Sequence, residues 1–132
     1  MTGLNIDEPR VEQSFPADVA SAESARRFVE AVLMEWGCDG FREDALLLVS
    51  ELVTNAVTHA SSACRVVVSH AEGGGVRIDV HDGDRSHGPE QQPLDLAAHH
   101  GRGLLIVDRV AAMWGSEPAA DGKVVWFVLR PR

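Results

Sequence analysis

Apolar residues recur at three- and four-residue spacing in the first half of the chain. Ala25, Phe28, Val29, Val32, Leu33 and Trp36 form one such series, with Ser21 as its N-cap and Gly37 just past its end, and the pattern predicts a helix. A second helix is predicted from about 41 to 60, with Glu43 and Asp44 in the first turn, where acidic groups suit the positive end of the helix dipole. Leu52, Val53, Ala56, Val57 and Ala60 give it an apolar side, while Glu51, Thr54, Asn55, Thr58 and His59 run down the other. The period then changes to two. Cys64, Val66 and Val68 share one face of a strand, and Val76, Ile78 and Val80 share a face of the next, with Arg77, Asp79 and His81 opposite. The intervening EGGG at 72–75 predicts a hairpin turn. VEQSF at 11–15 reads as a short strand stopped by Pro16, and KVVWFVLR at 123–130, apolar on both faces, as a central one. GLLIVDRVAAMW at 103–114 predicts a third helix, from Ile106, Val110 and Met113. Residues 83–102 form a long polar stretch, a length that in a compact domain goes with function or disorder.

Helices segregated from a mainly antiparallel set of strands predict an α+β two-layer sandwich: a mainly antiparallel mixed sheet with three helices on one face. The 132 residues fit a single domain over 11–132, preceded by a polar, flexible terminus at 1–10. A net charge of −8 argues against direct nucleic-acid binding, because the chain as a whole repels phosphate backbones. Any phosphate group it holds must therefore meet local N–H groups, a few cations or a metal. Cys38 and Cys64 form no CxxC pair and suit a reducing cytoplasm. No apolar run approaches the roughly 20 residues that span a bilayer, and the N-terminus lacks an apolar signal core.

Three places concentrate chemistry. Glu51 and Asn55 stand one turn apart on a helix face, and His59 extends the row. An amide oxygen can ligate Mg²⁺ and a carboxylate can act as a base, although the same row suits a solvated face. Asp82 shares the parity of Val76, Ile78 and Val80, so its carboxylate points to the apolar side and needs a partner such as a ring amino group; DGD is equally a turn signal. Gly101 and Gly103 precede a predicted helix, where backbone N–H groups can close on an anion, although glycine is also common at loop ends. His70, His87, His99 and His100 show no metal-site spacing.

The order of these features resembles the GHKL (Bergerat-fold) ATPases, and most closely the anti-sigma-factor serine/threonine kinases among bacterial stress and sporulation regulators, which carry a histidine-kinase-like ATPase domain. VSELVTNAVTHA (49–60) is similar to that family's N box, VHDG (80–83) to its adenine-binding strand, and GRGLLIVDRVAAMWG (101–115) with GKVVWFVL (122–129) to the end of its small members. The resemblance implies an ATP- and Mg²⁺-dependent kinase that phosphorylates a serine on a small antagonist protein and sequesters a sigma factor. It implies Asn55 as the Mg²⁺ ligand, Glu51 as the general base and Asp82 as the acceptor for the adenine amino group. Gly101 and Gly103 would cradle the phosphates, residues 83–100 would form the ATP lid, and Arg27 matches an arginine used against protein partners. Family members often form homodimers, although no interface signature stands in this sequence. Two positions depart from the family pattern. Asp84 stands where a second glycine often follows the strand, and Lys123 follows Gly122 where a threonine is usual. They favour an alternative in which the same fold acts as a regulatory module by partner binding alone, with weak or no nucleotide turnover.

Overall fold

The computed structural model describes residues 10–58, 61–83, 110–120 and 122–131. Five strands, β1 (Arg10–Phe15), β2 (Cys64–Ala71), β3 (Gly75–Asp82), β4 (Met113–Ala119) and β5 (Gly122–Leu129), form one sheet in the order β1-β2-β3-β5-β4. All four pairings are antiparallel, so the sheet contains no parallel pair among these strands. Two α-helices, α1 (Ser21–Glu35) and α2 (Arg42–Thr58), pack on each other and on one sheet face. The result is the expected α+β two-layer arrangement.

The core lies between the layers. Val66, Val68, Val76, Ile78 and Phe127 are fully buried from the sheet side, and Val29, Val32, Leu33, Leu48, Val49 and Val53 from the helices. The two-residue and three/four-residue apolar periods are therefore the two halves of one interface. On the opposite sheet face Arg77 holds Asp79 through paired hydrogen bonds of 3.0 and 2.9 Å and lies 4.4 Å over the Trp126 ring.

Helix α1 ends as its glycine predicts. Gly37 has φ +70°, the Cys38 N–H donates to the Leu33 carbonyl at 2.7 Å and the Gly37 N–H to that of Met34 at 3.2 Å, a Schellman closure. Its start differs from expectation. Ala20 occupies the N-cap without a side-chain cap, and Ser21 is the first helical residue, its hydroxyl donating to the Pro16 carbonyl at 2.6 Å. Ser21 is buried there and fastens the helix start to the end of β1 instead of capping.

Two α-helices stand among the described residues, where three were expected. Residues 103–109 of the predicted third helix lie outside the described residues, and its last residues, Met113 and Trp114, belong to β4. Ile106, Val110 and Met113 share helical spacing, but Met113 pairs with Val128 and Trp114 with Phe127, so cross-strand pairing prevails at this end. Residues 1–9, His59, Asp84, the lid segment from 84 to 100, Gly101 and Gly103 also lie outside the described residues.

Candidate functional site

Antiparallel pairing gathers the relevant termini at one end of the sheet. β2 starts there at Cys64, β3 ends at Asp82, β5 starts at Gly122 and β4 ends at Ala119. The last turn of α2 is tied to the same end through Ser62. The Ser62 N–H donates to the Ala56 carbonyl at 3.2 Å, and the Ser62 hydroxyl accepts from the Gly83 N–H at 2.7 Å. Asn55 precedes Ala56 and Asp82 precedes Gly83, so this bridge brings the polar row of α2 and the strand-ending carboxylate into one neighbourhood. A cavity of about 460 Å³ opens at this end, lined by Ser62, Cys64, His81, Asp82, Gly83 and Gly122 among others.

Glu51 and Asn55 are both half-buried, at the border between the packed and exposed sides of α2, while Thr54 and Thr58 are exposed. The row is thus not uniformly solvated, and neither Glu51 nor Asn55 is among the residues that line the 460 Å³ cavity. Asp82 lies on the helix-facing side with Val80, as its parity predicts, and its side chain is 8% exposed. Its neighbours across the ladder are Cys64 on β2 and Lys123 on β5. The Lys123 Nζ lies 3.8 Å from Asp82 Oδ2. Burial, and then the nearby Asp82 carboxylate, push the Cys64 thiol up to about 11, so it stays protonated and poorly nucleophilic at neutral pH.

Gly122 sets the closeness of these strands. A Cβ placed on it would lie 1.8 Å from the Asp82 carbonyl oxygen and 2.7 Å from the Gly83 Cα. Ser62, Cys64 and the Asp82–Lys123 contact were not read from the sequence as parts of a site. A serine shortly after a helix and a cysteine opening a strand carry no signal of their own, and the contact needs the β3–β5 register.

His81 stands on the opposite sheet face at the cavity rim. Burial first, and then the Arg65 charge, lower its pKa, with Arg10 adding to this and Asp79 and Glu12 opposing. The neutral imidazole's contribution to stability is complete above the ordinary value of about 6.5 and is lost as pH falls below it, because the unfolded chain takes up the proton first. His81→Gln should therefore flatten the loss of thermal stability between about pH 7 and 5 relative to wild type. Parallel melting profiles for the two proteins across that range would contradict it.

Arg27 is placed apart from this end. It lies on the exposed side of α1, its Nε donating to Glu23 Oε2 at 3.2 Å with the side chain 77% exposed. It lines a shallow groove of about 370 Å³ between α1 and α2 with Arg26, Glu30, Arg42 and Leu47, which reaches Ser50, the residue before Glu51.

The sequence model described as "Histidine kinase-like ATPase domain" matches residues 15–129. The chain belongs to this family. The histidine kinase-like ATPase domain here has the fold of two solved structures. One is the RsbU and RsbW domains of Rv1364c from Mycobacterium tuberculosis, at 22% identity and a TM-score of 0.71, covering 93% of this chain and 32% of that one. The other is the SiaB-SiaC complex from Pseudomonas aeruginosa, at 13% identity and a TM-score of 0.64, covering 89% of this chain and 88% of that one. The chain thus spans about a third of the length of the first. No curated protein matches it. No helix of the described residues is long and apolar enough to cross a membrane.

The donor set can be tested against the nucleotide this family implies. Among the described residues no group of three or more His, Cys, Asp or Glu could hold a metal by itself. Mg²⁺ in phosphate sites takes one or two protein oxygens and completes its shell with phosphates and water. Asn55, with Glu51 one turn away, offers that kind of partial set. At the end of β3, Asp82 offers a buried acceptor.

Proposed function

We propose that this domain is an ATP- and Mg²⁺-dependent protein serine kinase of the anti-sigma type, acting in the cytoplasm on a small antagonist protein and holding a sigma factor. The observation that carries the reading is the Ser62 bridge, which joins the turn of α2 bearing Asn55 to the end of β3 bearing Asp82. One ligand with a metal-bound phosphate end and an amino-bearing ring meets both requirements. Family membership and the N-box resemblance of residues 49–60 support the same ligand.

Asn55 would hold the Mg²⁺, which when bound neutralises phosphate charge during phosphoryl transfer. Asp82 would orient the base by accepting from its amino group, and Gly101 and Gly103 would face the phosphates. Glu51 would accept the serine hydroxyl proton as that oxygen bonds to the terminal phosphorus and ADP leaves. The groove that runs from Arg27 to Ser50 gives the protein substrate a charged surface leading towards Glu51. One of the similar structures is a complex with a second protein and the other carries a second domain, which accords with a domain that works through partners.

Nucleotide titration with and without Mg²⁺ tests the reading. Mg·ATP or Mg·ADP should bind with Kd in the micromolar to millimolar range, about −8 to −4 kcal/mol. Asn55→Ala should remove most of the dependence on Mg²⁺. No heat and no thermal shift at millimolar nucleotide would refute nucleotide binding. A second reading, a regulatory module acting by partner binding alone, is favoured by the buried Lys123 ammonium beside Asp82.

A further inference from the structure

Lys123 takes the place where the resemblance leads one to expect a threonine, and its position gives it a role at the base end of the site. Asp82 and Lys123 are direct partners across β3 and β5, on the same side as the neighbouring pair Val80 and Val125. Both point to the helix layer and both are nearly buried, with side chains 8% and 10% exposed. The ammonium is 3.8 Å from the carboxylate oxygen. Gly122, lacking a Cβ, lets the start of β5 lie directly against the Asp82 and Gly83 backbone. On the other flank, Cys64 remains a neutral thiol. This end of the sheet therefore carries one negative and one positive group side by side, and of the two Asp82 lines the cavity.

A lone carboxylate selects a ring amino group and repels a ring carbonyl. An ammonium beside it changes what the pair can read. The O6 carbonyl of guanine or hypoxanthine can accept from the ammonium, while the adjoining N1–H donates to the carboxylate. Adenine meets the same pair with its amino group on the carboxylate and its N1 acceptor on the ammonium, so either kind of base satisfies the pair with one donor and one acceptor. The advantage of the amino base over the oxo base is thereby removed.

We propose that Lys123 is a specificity-determining residue which, paired with Asp82, widens the base pocket from 6-aminopurine nucleotides to 6-oxopurine nucleotides such as GTP and ITP. The proposal rests on the reading that a purine nucleotide binds at Asp82. Specificity of this kind depends on whether each buried polar group finds a partner in each candidate ligand.

The test is calorimetric titration of the full chain with Mg·ATP and with Mg·GTP, for wild type, Lys123→Thr and Lys123→Met. The wild-type dissociation constants should agree within about fivefold, and either variant should come to favour ATP over GTP by about tenfold or more. A wild type that prefers ATP by more than fivefold overturns the proposal, and so does a ratio unchanged in the variants. In both cases the nucleotide-binding reading survives. If neither nucleotide binds wild type or variants, that reading falls as well, and the two failures are told apart. Circular dichroism checks folding. Should leaving Asp82 without the ammonium prevent a variant from folding, the wild-type ratio alone decides.

Discussion

Replacing Glu51 with alanine is expected to slow phosphate transfer to a protein serine by about 10²–10⁴-fold, the usual contribution of a positioned general base. That corresponds to about 2.7–5.4 kcal/mol of transition-state stabilisation. Nucleotide binding should hardly change, because Asn55 and Asp82 would keep the metal and the base in place. The expectation rests on position. Glu51 stands one helical turn before Asn55, half-buried like it, at the border between the packed side of α2 and its exposed side. In the proposed binding mode a carboxylate there would face the region where the terminal phosphate and an incoming hydroxyl meet. Glu51→Gln separates shape from basicity and should be nearly as slow as the alanine variant. Single-turnover transfer of labelled phosphate to a small set of candidate antagonist domains provides the readout. A Glu51→Ala protein that transfers at the wild-type rate would show that another group takes the proton. A wild type that binds an antagonist tightly yet transfers no phosphate would establish the binding-module reading.

The second large effect is steric. Gly122→Ala places a methyl group 1.8 Å from the Asp82 carbonyl oxygen, so the β3 and β5 backbones must move apart at their shared end. Forcing extra atoms into a packed site costs about 1–3 kcal/mol, and here the obstacle is main chain, which cannot turn aside as a flexible side chain can. At roughly 4 °C per kcal/mol for a domain of this size, the melting temperature should fall by about 4–12 °C. The displaced group is Asp82 itself, so purine affinity should fall at least about tenfold, or 1.4 kcal/mol. Gly40→Ala is the matched control: its added Cβ would meet nothing within 4 Å, and it should leave both properties unchanged. Equal effects from the two substitutions would mean that the closeness of the strands at Gly122 is immaterial.

Much of this architecture can be read from periodicity, because burial on one side repeats at the pitch of each element. The series from Ala25 to Trp36 and the alternation of Val76, Ile78 and Val80 each correspond to observed buried faces. β4 escaped because MWGSEPA contains glycine and proline, both poor strand formers, and is sustained as an edge strand by pairing with β5. Asp82 could be placed on the apolar side by parity alone. Its meeting with Lys123 could not, since 40 intervening residues separate partners that only the β3–β5 register aligns. The Ser62 bridge is equally silent in the sequence. Its hydrogen bonds depend on where α2 stops relative to the end of β3, which no local pattern encodes. Ser21 was misassigned because the residue type suits a helix cap, whereas tertiary contact with Pro16 decides its use.

The strand order also bears on how the protein avoids sticking to its own kind. Among the described residues β1 and β4 are the outer strands of the sheet, and outer strands offer unpaired backbone groups on which further chains can grow. Here β1 is six residues long and carries the charged pair Arg10 and Glu12, while β4 carries Pro118, which has no N–H to offer. Strand-by-strand accretion into fibrils is disfavoured at both margins, so a concentrated stock should resist that route to aggregation.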